Sequence, residues 1–188
     1  MKLLEERILK DGVVSGNVLK IDSFLNHQVD VELASKCAEA WHQLFADEGI
    51  TKILTIESGG IGIACITAQH FGVPALFAKK TTAQNPGDEY HSVKVVSYTQ
   101  GNAYQVIVKK QFLTSSDRVL IVDDLIANGT AAKALIDICA LAGATVIGCA
   151  IAVEKAFQNG SKMLREKGVR IESLAKIKAL NDGRIEFF

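Results

Sequence analysis

The sequence lacks the features that mark secreted, membrane-embedded or polyanion-binding proteins. Its Lys and Arg residues equal its Asp and Glu residues at 21 each, so no overall field draws it to nucleic acid or to an anionic membrane. Its longest nearly apolar run, Ala144 to Val153, is about half the length that a bilayer-spanning helix requires. The first ten residues, MKLLEERILK, lack the uncharged core of a signal peptide. We therefore expect a cytoplasmic protein with no nucleic-acid partner and no membrane segment.

The sequence also lacks closely spaced cysteine pairs and complete nucleotide-binding motifs. The four cysteines form no C-x-x-C pair and have apolar neighbours, which is typical of reduced core thiols rather than of disulfides or a zinc site. The loop ESGGIGIAC falls short of a dinucleotide fingerprint, because Cys65 replaces its third glycine and lysines stand where its acid is expected. No G-x-x-x-x-G-K-[ST] loop occurs either. A nicotinamide, flavin or nucleoside triphosphate site is therefore not supported.

What the sequence does contain is an alternation of short apolar strands with amphipathic helices. Its 188 residues, 48% of them hydrophobic, suit one domain that spans residues 1–188. The central strands are apolar on both faces, which predicts an α/β fold with a central parallel sheet flanked by helices. The first predicted helix has its apolar stripe over residues 31–45 and runs on to a stop at Gly49, and the second follows the glycine turn SGGIG and ends at about residue 71. The other two span about 130–142 and about 162–167. The predicted strands span residues 53–57, 73–78, 119–124, 145–153 and about 169–174.

The segment between the second and third of these strands has a different character. KKTTAQNPGDEY is polar and rich in turn-forming residues. Two alternating runs, VKVVSYT and AYQVIVK, flank Gln100-Gly101-Asn102. We predict an antiparallel hairpin inserted between parallel strands.

Four polar or glycine-rich stretches follow strands of the predicted sheet. They are ESGG, AKK, DDLIANGT and EKAFQNG. Because ligands of parallel sheets bind at the carboxyl ends of the strands, these stretches form the candidate site. Glycines in such loops also let backbone N–H groups approach a phosphate closely.

The pair Asp123-Asp124 ends the most hydrophobic strand and is followed by small residues. Adjacent acids at such a place are often no more than solvated loop residues. Here residues 127–129 lead into a predicted helix from Thr130, whose first N–H groups and dipole favour an anion. Two carboxylates can accept hydrogen bonds from two neighbouring hydroxyls while the helix start holds a phosphate. The pattern therefore favours a ribose 5-phosphate, and the acids would also stabilise positive charge on the sugar ring.

The same stretch carries a resemblance to a known family. VLIVDDLIANGTAA resembles the signature of the type I phosphoribosyltransferases, which bind phosphoribosyl pyrophosphate (PRPP) through such a strand, acid pair and loop. The usual family loop has hydroxyl residues where Asn128 and Ala131 stand, and this departure resembles the bacterial branch that acts on xanthine. Four further stretches are similar to that branch: GVVSGNVLKIDSFLNHQVD, GITKILTIESGGI, FAKK and VEKAFQNG. Together these stretches span nearly the full chain.

The resemblance implies transfer of a phosphoribosyl group from PRPP to a purine nitrogen. Pyrophosphate would leave accompanied by Mg²⁺, with no metal held directly by protein side chains. Asp123 and Asp124 would be the catalytic pair that holds the ribose hydroxyls. The residues implied to bind the rest of PRPP are Ala127, Asn128, Gly129, Thr130 and Ala131 at the 5-phosphate, Ser58 and Gly59 at the pyrophosphate, and Lys79 and Lys80 beside it. Two cations there would counter the charge of the departing pyrophosphate, whereas the alternative is a solvated lysine pair.

For the base, the resemblance points to Leu19, Asn26 and Lys155. Xanthine carries carbonyls at positions 2 and 6, and an amide and an ammonium group are donors; Leu19 would cover the ring. The alternatives are that Asn26 caps a turn and that Lys155 forms a surface ion pair with the neighbouring Glu154. For Phe157 we expect packing in the core rather than stacking on the base.

The resemblance also implies a homodimer, a small N-terminal hood and a mobile segment, Thr81 to Tyr104, that closes over the sugar and excludes water. Guanine, hypoxanthine and adenine are alternative bases. A non-catalytic PRPP-sensing regulator is an alternative of another class, although the balanced charge and the lack of a basic run disfavour a nucleic-acid partner. A receiver-like signalling domain is disfavoured because its acids would follow the first strand rather than a late one.

Overall fold

The computed structural model describes residues 1–83, 87–96, 103–181 and 184–188. Within these residues, eight strands form one sheet and two short strands form a separate hairpin. The short strands are β1 (Val13–Ser15) and β2 (Val18–Lys20). The strands of the sheet are β3 (Lys52–Ile56), β4 (Ala75–Thr81), β5 (Tyr90–Val96), β6 (Ala103–Lys109), β7 (Arg118–Ile126), β8 (Thr145–Lys155), β9 (Ile171–Asn181) and β10 (Arg184–Phe187).

Five α-helices lie in the described ranges. They are α1 (Lys2–Asp11), α2 (Val31–Phe45), α3 (Gly60–Phe71), α4 (Thr130–Ala142) and α5 (Gly160–Glu166). A π-helical turn (Asp22–Asn26) precedes α2, whose first turn is capped by the Asp30 carboxylate accepting from the Leu33 N–H. The α4 helix ends as expected at Gly143, which adopts a left-handed φ of 71°. The four predicted helices are confirmed as elements, although α3 begins at Gly60, inside the predicted glycine turn, and α2 ends at Phe45, before the predicted stop at Gly49.

The order of the strands confirms the predicted α/β architecture. From edge to edge the sheet runs β10-β9-β8-β7-β3-β4-β6-β5. The five strands from β9 to β4 are parallel. The predicted hairpin, β5 with β6, is antiparallel and extends the edge of the sheet beyond β4. The hairpin lies between parallel strands in the sequence but at the edge of the sheet in the structure. Its predicted turn, residues 100–102, is outside the described residues.

The β4 strand changes partner part-way along its length. Residues 75–78 pair in parallel with β3, whereas residues 79–81 pair antiparallel with β6. Lys79 and Lys80 therefore lie on the part of β4 whose strand partner is the hairpin.

The last strand of the parallel set is longer than predicted. The expected strand at about 169–174 is β9, which continues to Asn181 and pairs with β10. Its second half alternates buried residues, Ala175 and Ile177, with exposed lysines at 176 and 178. The prediction ended where these lysines begin, because a half-exposed strand near a sheet edge has a weaker hydrophobic pattern than a central one.

Buried side chains form one cluster on each face of the sheet. Adjacent β3 residues, Ile53 and Leu54, belong to different clusters, as alternation along a strand requires. Helices α1, α2 and α3 contribute to the first cluster through Leu4, Ile8, Trp41, Phe45 and Ile63. Helices α4 and α5 contribute to the second through Leu135, Ile138 and Leu164. No helix in the described ranges is long and apolar enough to cross a membrane.

The prediction for the cysteines is confirmed at three of the four positions. Cys37, Cys139 and Cys149 are buried, and burial raises the pKa of each thiol to about 12. Cys65 is exposed, so the prediction of a core thiol is wrong there. The apolar neighbours Ile63 and Ala64 face the core, while Cys65 falls on the outer side of the same helix.

The packing of α1 against the sheet was not predicted. It can be tested by shortening a buried side chain of this helix. Ile8 is fully buried against the core, whereas Leu9 on the same helix is 59% exposed. We expect Ile8→Ala to lower the free energy of unfolding by about 2–5 kcal/mol and Leu9→Ala to change it by about 0.5 kcal/mol or less. Urea unfolding measures both. Equal and small effects would show that α1 does not pack as described.

Candidate active site

Two buried acids lie at the carboxyl end of β7. Asp123 and Asp124 are 7% and 8% exposed, and the Asp124 backbone N–H donates to Asp123 Oδ1 at 3.0 Å. The alternative of two solvated loop residues is therefore wrong. The pair instead stands at the edge of the sheet where ligands of parallel sheets bind.

The electrostatics of the pair make its negative charge unfavourable in the absence of a ligand. Burial, followed by the nearby charge of Asp124, raises the pKa of Asp123 well above its usual range. Burial also raises the pKa of Asp124, although hydrogen bonds lower it in part. The Lys80 ammonium opposes both shifts. Hydroxyl donors brought by a ligand would favour the charged form of both carboxyls.

The glycine loop between β3 and α3 passes directly beside this pair. A Cβ atom on Gly59 would lie 2.7 Å from Asp124 Oδ2 and 3.3 Å from Asn26 Cγ. A Cβ atom on Gly60 would lie 2.8 Å from Asp123 Oδ1 and would overlap the Thr55 hydroxyl. The peptide bond between Glu57 and Ser58, which opens the loop, is cis. Only glycine fits such close contacts, and the loop brings Asn26 next to the acid pair.

The loop after β7 meets the helix α4 beside the same acids. Gly129 has a left-handed φ of 74°, and α4 begins at the next residue, Thr130. A cavity of about 240 Å³ is lined by Asp123, Ile151 and residues 125–132. The exposed N–H groups and dipole at the start of α4 favour an anion in this cavity. The predicted 5-phosphate loop, Ala127 to Ala131, therefore shares one cavity with Asp123.

The two lysines of β4 have different surroundings. Lys80 donates its backbone N–H to Glu57 Oε1 at 2.6 Å, and its ammonium charge acts on both aspartates. The Lys79 ammonium lies 5.9 Å from the centre of the Phe77 ring. Because consecutive residues of a strand face opposite sides, only the Lys80 side chain joins the acid pair. A role for Lys79 in binding remains a prediction.

The residues predicted for the base come from the N-terminal segment and from the end of β8. Lys155 is 7% exposed and donates to the Asn17 carbonyl at 3.1 Å, and burial lowers its pKa. Asn17 lies in the turn between β1 and β2, and the buried Leu19 is on β2. Residues 13–26 thus lie over the carboxyl edge of the sheet, in the place expected of a hood.

One alternative and one expectation for this region are wrong. Lys155 forms no surface ion pair with Glu154, since Arg165 contacts that carboxylate instead. Phe157 is 37% exposed, so it does not pack in the core. Lys155 is the last residue of β8 and Phe157 lies just beyond it, where long-range contacts rather than local pattern decide the direction of each side chain.

Four residues at the site were not singled out from sequence. Glu57 directly follows β3 and Glu154 is the last residue but one of β8. Each begins a quoted stretch, ESGG or EKAFQNG, and that position was the available signal. Gly160, the first residue of α5, packs against residues 127–129, and its place in the stretch EKAFQNG was a weaker signal. Thr55 carries a buried hydroxyl with no hydrogen-bond partner among the described residues, and nothing in the sequence indicated it.

The family model for the phosphoribosyl transferase domain matches residues 22–176. The chain belongs to the phosphoribosyltransferase family. No group of three or more His, Cys, Asp or Glu side chains that could hold a metal ion occurs in the described part of this phosphoribosyltransferase.

Named relatives cover the chain from end to end. The xanthine phosphoribosyltransferase of Ruminiclostridium cellulolyticum is 52% identical over 188 residues, which cover 100% of this chain and 99% of that protein. The enzyme of the same name from Bifidobacterium longum is 51% identical over 191 residues, with 100% and 99% covered. The crystal structure of an adenine phosphoribosyltransferase from Rhodothermus marinus matches with a TM-score of 0.75 and 23% identity, over 94% of this chain and 100% of that chain. This last likeness shows the fold alone.

The raised pKa of Asp123 predicts that the acid lowers stability. The carboxyl loses its proton near pH 3.8 in the unfolded chain but at higher pH in the folded protein, so stability falls as pH rises between these two values. We expect Asp123→Asn to raise the Tm at pH 8 by at least about 2 °C, which corresponds to about 1 kcal/mol at this chain length. The gain should shrink as the pH falls toward 3.8.

Calorimetry at a series of pH values measures this effect. Asp47→Asn, the same change at an exposed position, is the control and should leave the Tm nearly constant. A lower Tm for Asp123→Asn at pH 8 would contradict the described electrostatics.

Proposed function

We propose that this chain transfers the 5-phosphoribosyl group of PRPP to xanthine, giving xanthosine 5'-monophosphate and pyrophosphate in purine salvage. The observation that carries the proposal is one cavity lined by Asp123 of the buried acid pair and by the loop of residues 127–131. Asn26 lies beside Gly59 next to Asp124, and Lys155 contacts the N-terminal segment at the end of β8. The names and identities of the full-length relatives support xanthine as the base. We take residues 1–188 as the single domain that performs this reaction.

The sugar phosphate would bind through backbone and carboxylate groups. The N–H groups of residues 127–131 would hold the 5-phosphate, helped by the dipole of α4. The two ribose hydroxyls would donate to Asp123 and Asp124, which favours the charged form of both acids. That charge lies where positive charge develops on the ring as the bond to pyrophosphate breaks. The acids would thus stabilise the transition state more than the bound substrate.

The leaving pyrophosphate would lie against Ser58 and Gly59. Lys80 is the cation best placed to counter its charge, because the same ammonium already acts on the acid pair. The described residues offer two adjacent acids but no cluster of three metal-binding side chains. We expect Mg²⁺ to be carried by the oxygens of pyrophosphate, as in the family, with Asp123 and Asp124 left to the ribose hydroxyls. The ion, when bound, would further neutralise the leaving group.

The base would lie between the sheet edge and the N-terminal hood. An ammonium group has three N–H donors, and the Asn17 carbonyl accepts from one of them. The remaining donors of Lys155 and the amide of Asn26 would bind the two carbonyls of xanthine, with Leu19 against the ring. Adenine lacks both carbonyls and would leave these donors without partners, which is the strongest form of discrimination between similar ligands. Homodimer formation, closure of the segment Thr81 to Tyr104 and a cytoplasmic location remain expectations from the family.

The proposal is tested by initial rates of nucleotide formation from PRPP and Mg²⁺ with xanthine, guanine, hypoxanthine and adenine. We expect kcat/KM for xanthine to exceed the others by at least about 10-fold, because each unmatched buried donor costs about 1–3 kcal/mol. Asp124→Asn is the control, and it should lose at least about 100-fold in rate with its fold intact. Preference for another base would overturn the base site alone. No turnover with any base despite PRPP binding would favour the PRPP-sensing regulator.

A second prediction concerns the base donor Lys155. We expect Lys155→Met, which keeps most of the side-chain volume, and Lys155→Ala to raise the KM for xanthine by about 10-fold or more, since one hydrogen bond to a charged group is worth about 1.5–3 kcal/mol. The KM for PRPP should change by no more than about 2-fold, which corresponds to about 0.4 kcal/mol, because no PRPP contact is assigned to Lys155. Lys176→Met, at an exposed position of β9, is the matched control. An equal rise in both KM values would mean that Lys155 supports the fold rather than the base.

A further inference from the structure

A buried carboxylate outside the proposed substrate contacts joins three elements of the fold. Glu154, near the end of β8, is 2% exposed. Its Oε1 accepts from the Ser161 hydroxyl at 2.5 Å and from Arg165 at 2.7 Å. Its Oε2 accepts from Arg165 at 2.7 Å and from the Ser173 hydroxyl at 2.5 Å. One side chain on β8 is thereby bonded to α5 at two points and to β9 at a third.

The α5 side of this network reaches the phosphate loop through backbone atoms. Ser161 follows Gly160, whose N–H donates to the Ala127 carbonyl at 3.2 Å. A Cβ atom on Gly160 would collide with Ala127 O, Gly129 N and the carbonyl carbon of Asn128. Backbone packed this closely cannot shift independently, so the position of the first residue of α5 determines the position of the loop.

The β8 side of the network reaches the base donor. Glu154 precedes Lys155, and neighbouring residues of a strand send their side chains to opposite faces. Glu154 contacts α5, while Lys155 reaches the Asn17 carbonyl of the hood. Glu154 is also in register with Ile126 of β7, the residue directly before the phosphate loop. The Glu154 carboxylate therefore lies between Lys155 and the loop of residues 127–131. These two parts of the site have to keep a fixed separation to bind the base and the 5-phosphate of one substrate pair.

We propose that Glu154 is a positioning residue that, through Ser161 and Gly160, fixes the phosphate loop relative to the strand end that carries Lys155. This inference rests on the proposed function, because it assigns the loop to the 5-phosphate. Glu154 would touch neither PRPP nor base. Loosening its bond to Ser161 would weaken phosphate binding first, since Arg165, at the far end of α5, would still hold the rest of the helix.

Two serines provide a matched pair of variants. Ser161→Ala and Ser173→Ala each remove one hydroxyl donor at 2.5 Å from the same carboxylate. Only Ser161 adjoins the residue that packs on the loop. We expect Ser161→Ala to weaken the binding of ribose 5-phosphate by about 3- to 10-fold, the range of coupling transmitted through packed elements. Ser173→Ala should weaken it by no more than about 2-fold, although both variants lose a similar bond to a charged group.

The readouts separate positioning from loss of stability. Calorimetric titration with ribose 5-phosphate gives the affinity without turnover, and thermal unfolding gives the stability of each variant. The KM for PRPP should rise in Ser161→Ala while the KM for xanthine stays constant. Equal weakening by both serine variants, or weakening that follows their Tm values, would overturn the positioning role. Failure of the unaltered protein to bind ribose 5-phosphate would instead overturn the proposed function.

A third variant tests whether Glu154 takes part in proton transfer. Burial raises the pKa of Glu154, but hydrogen bonds from Arg165, Ser161 and Ser173 outweigh burial and lower it to about 2. Its charge is therefore constant across any ordinary assay range. Glu154→Gln should raise the KM for PRPP and leave the shape of the pH profile of kcat unchanged. A changed profile would make Glu154 an acid–base group and contradict the inference.

Discussion

Two like charges buried side by side at the end of β7 are the constraint around which this structure is arranged. Neighbouring carboxylates in a poorly solvated place repel each other and are costly to ionise. The surroundings supply only part of the compensation, through the Lys80 ammonium and the Asp124 backbone N–H. Hydroxyl donors of a ligand would supply the rest. Buried carboxylates with incomplete compensation lower the stability of the core, and such local costs are expected at a ligand site.

The groups around the pair are placed by backbone contact rather than by long side chains. Gly59 and Gly60 pass within van der Waals reach of the acids, and Gly160 packs against the loop that begins at Ala127. Glycine at these positions lets three crossover connections of one sheet approach one another at the carboxyl edge. Backbone segments that touch have few alternative arrangements, so the distances between the parts of the site are set by the sheet.

Much of the fold, and the meeting of Asp123 with the loop of residues 127–131, could be predicted because the relevant signals are local. The strand before Asp123, the small-residue loop and the helix from Thr130 are contiguous, and their periodicity indicates both the elements and the edge where they meet. The three-residue strands β1 and β2 and the short β10 carry too little pattern to be recognised. The direction of the Lys79 and Glu154 side chains depends on partners elsewhere in the chain, such as Phe77 or Ser173. The exposed positions of Cys65 and Phe157 have the same cause. The sequence shows that each residue is apolar, but it does not show whether the side chain faces the core or the solvent.

The change of partner along β4 has a consequence for the charge balance of the site. After Ala78 the strand leaves β3, and the backbone at Lys80 is held by β6 on one side and by the Glu57 carboxylate on the other. The cation that offsets the acid pair is thus attached to an antiparallel addition at the margin of the sheet rather than to its parallel centre. Relatives that differ in the length or tilt of this hairpin would differ in the field at the acids even with identical residues in the cavity.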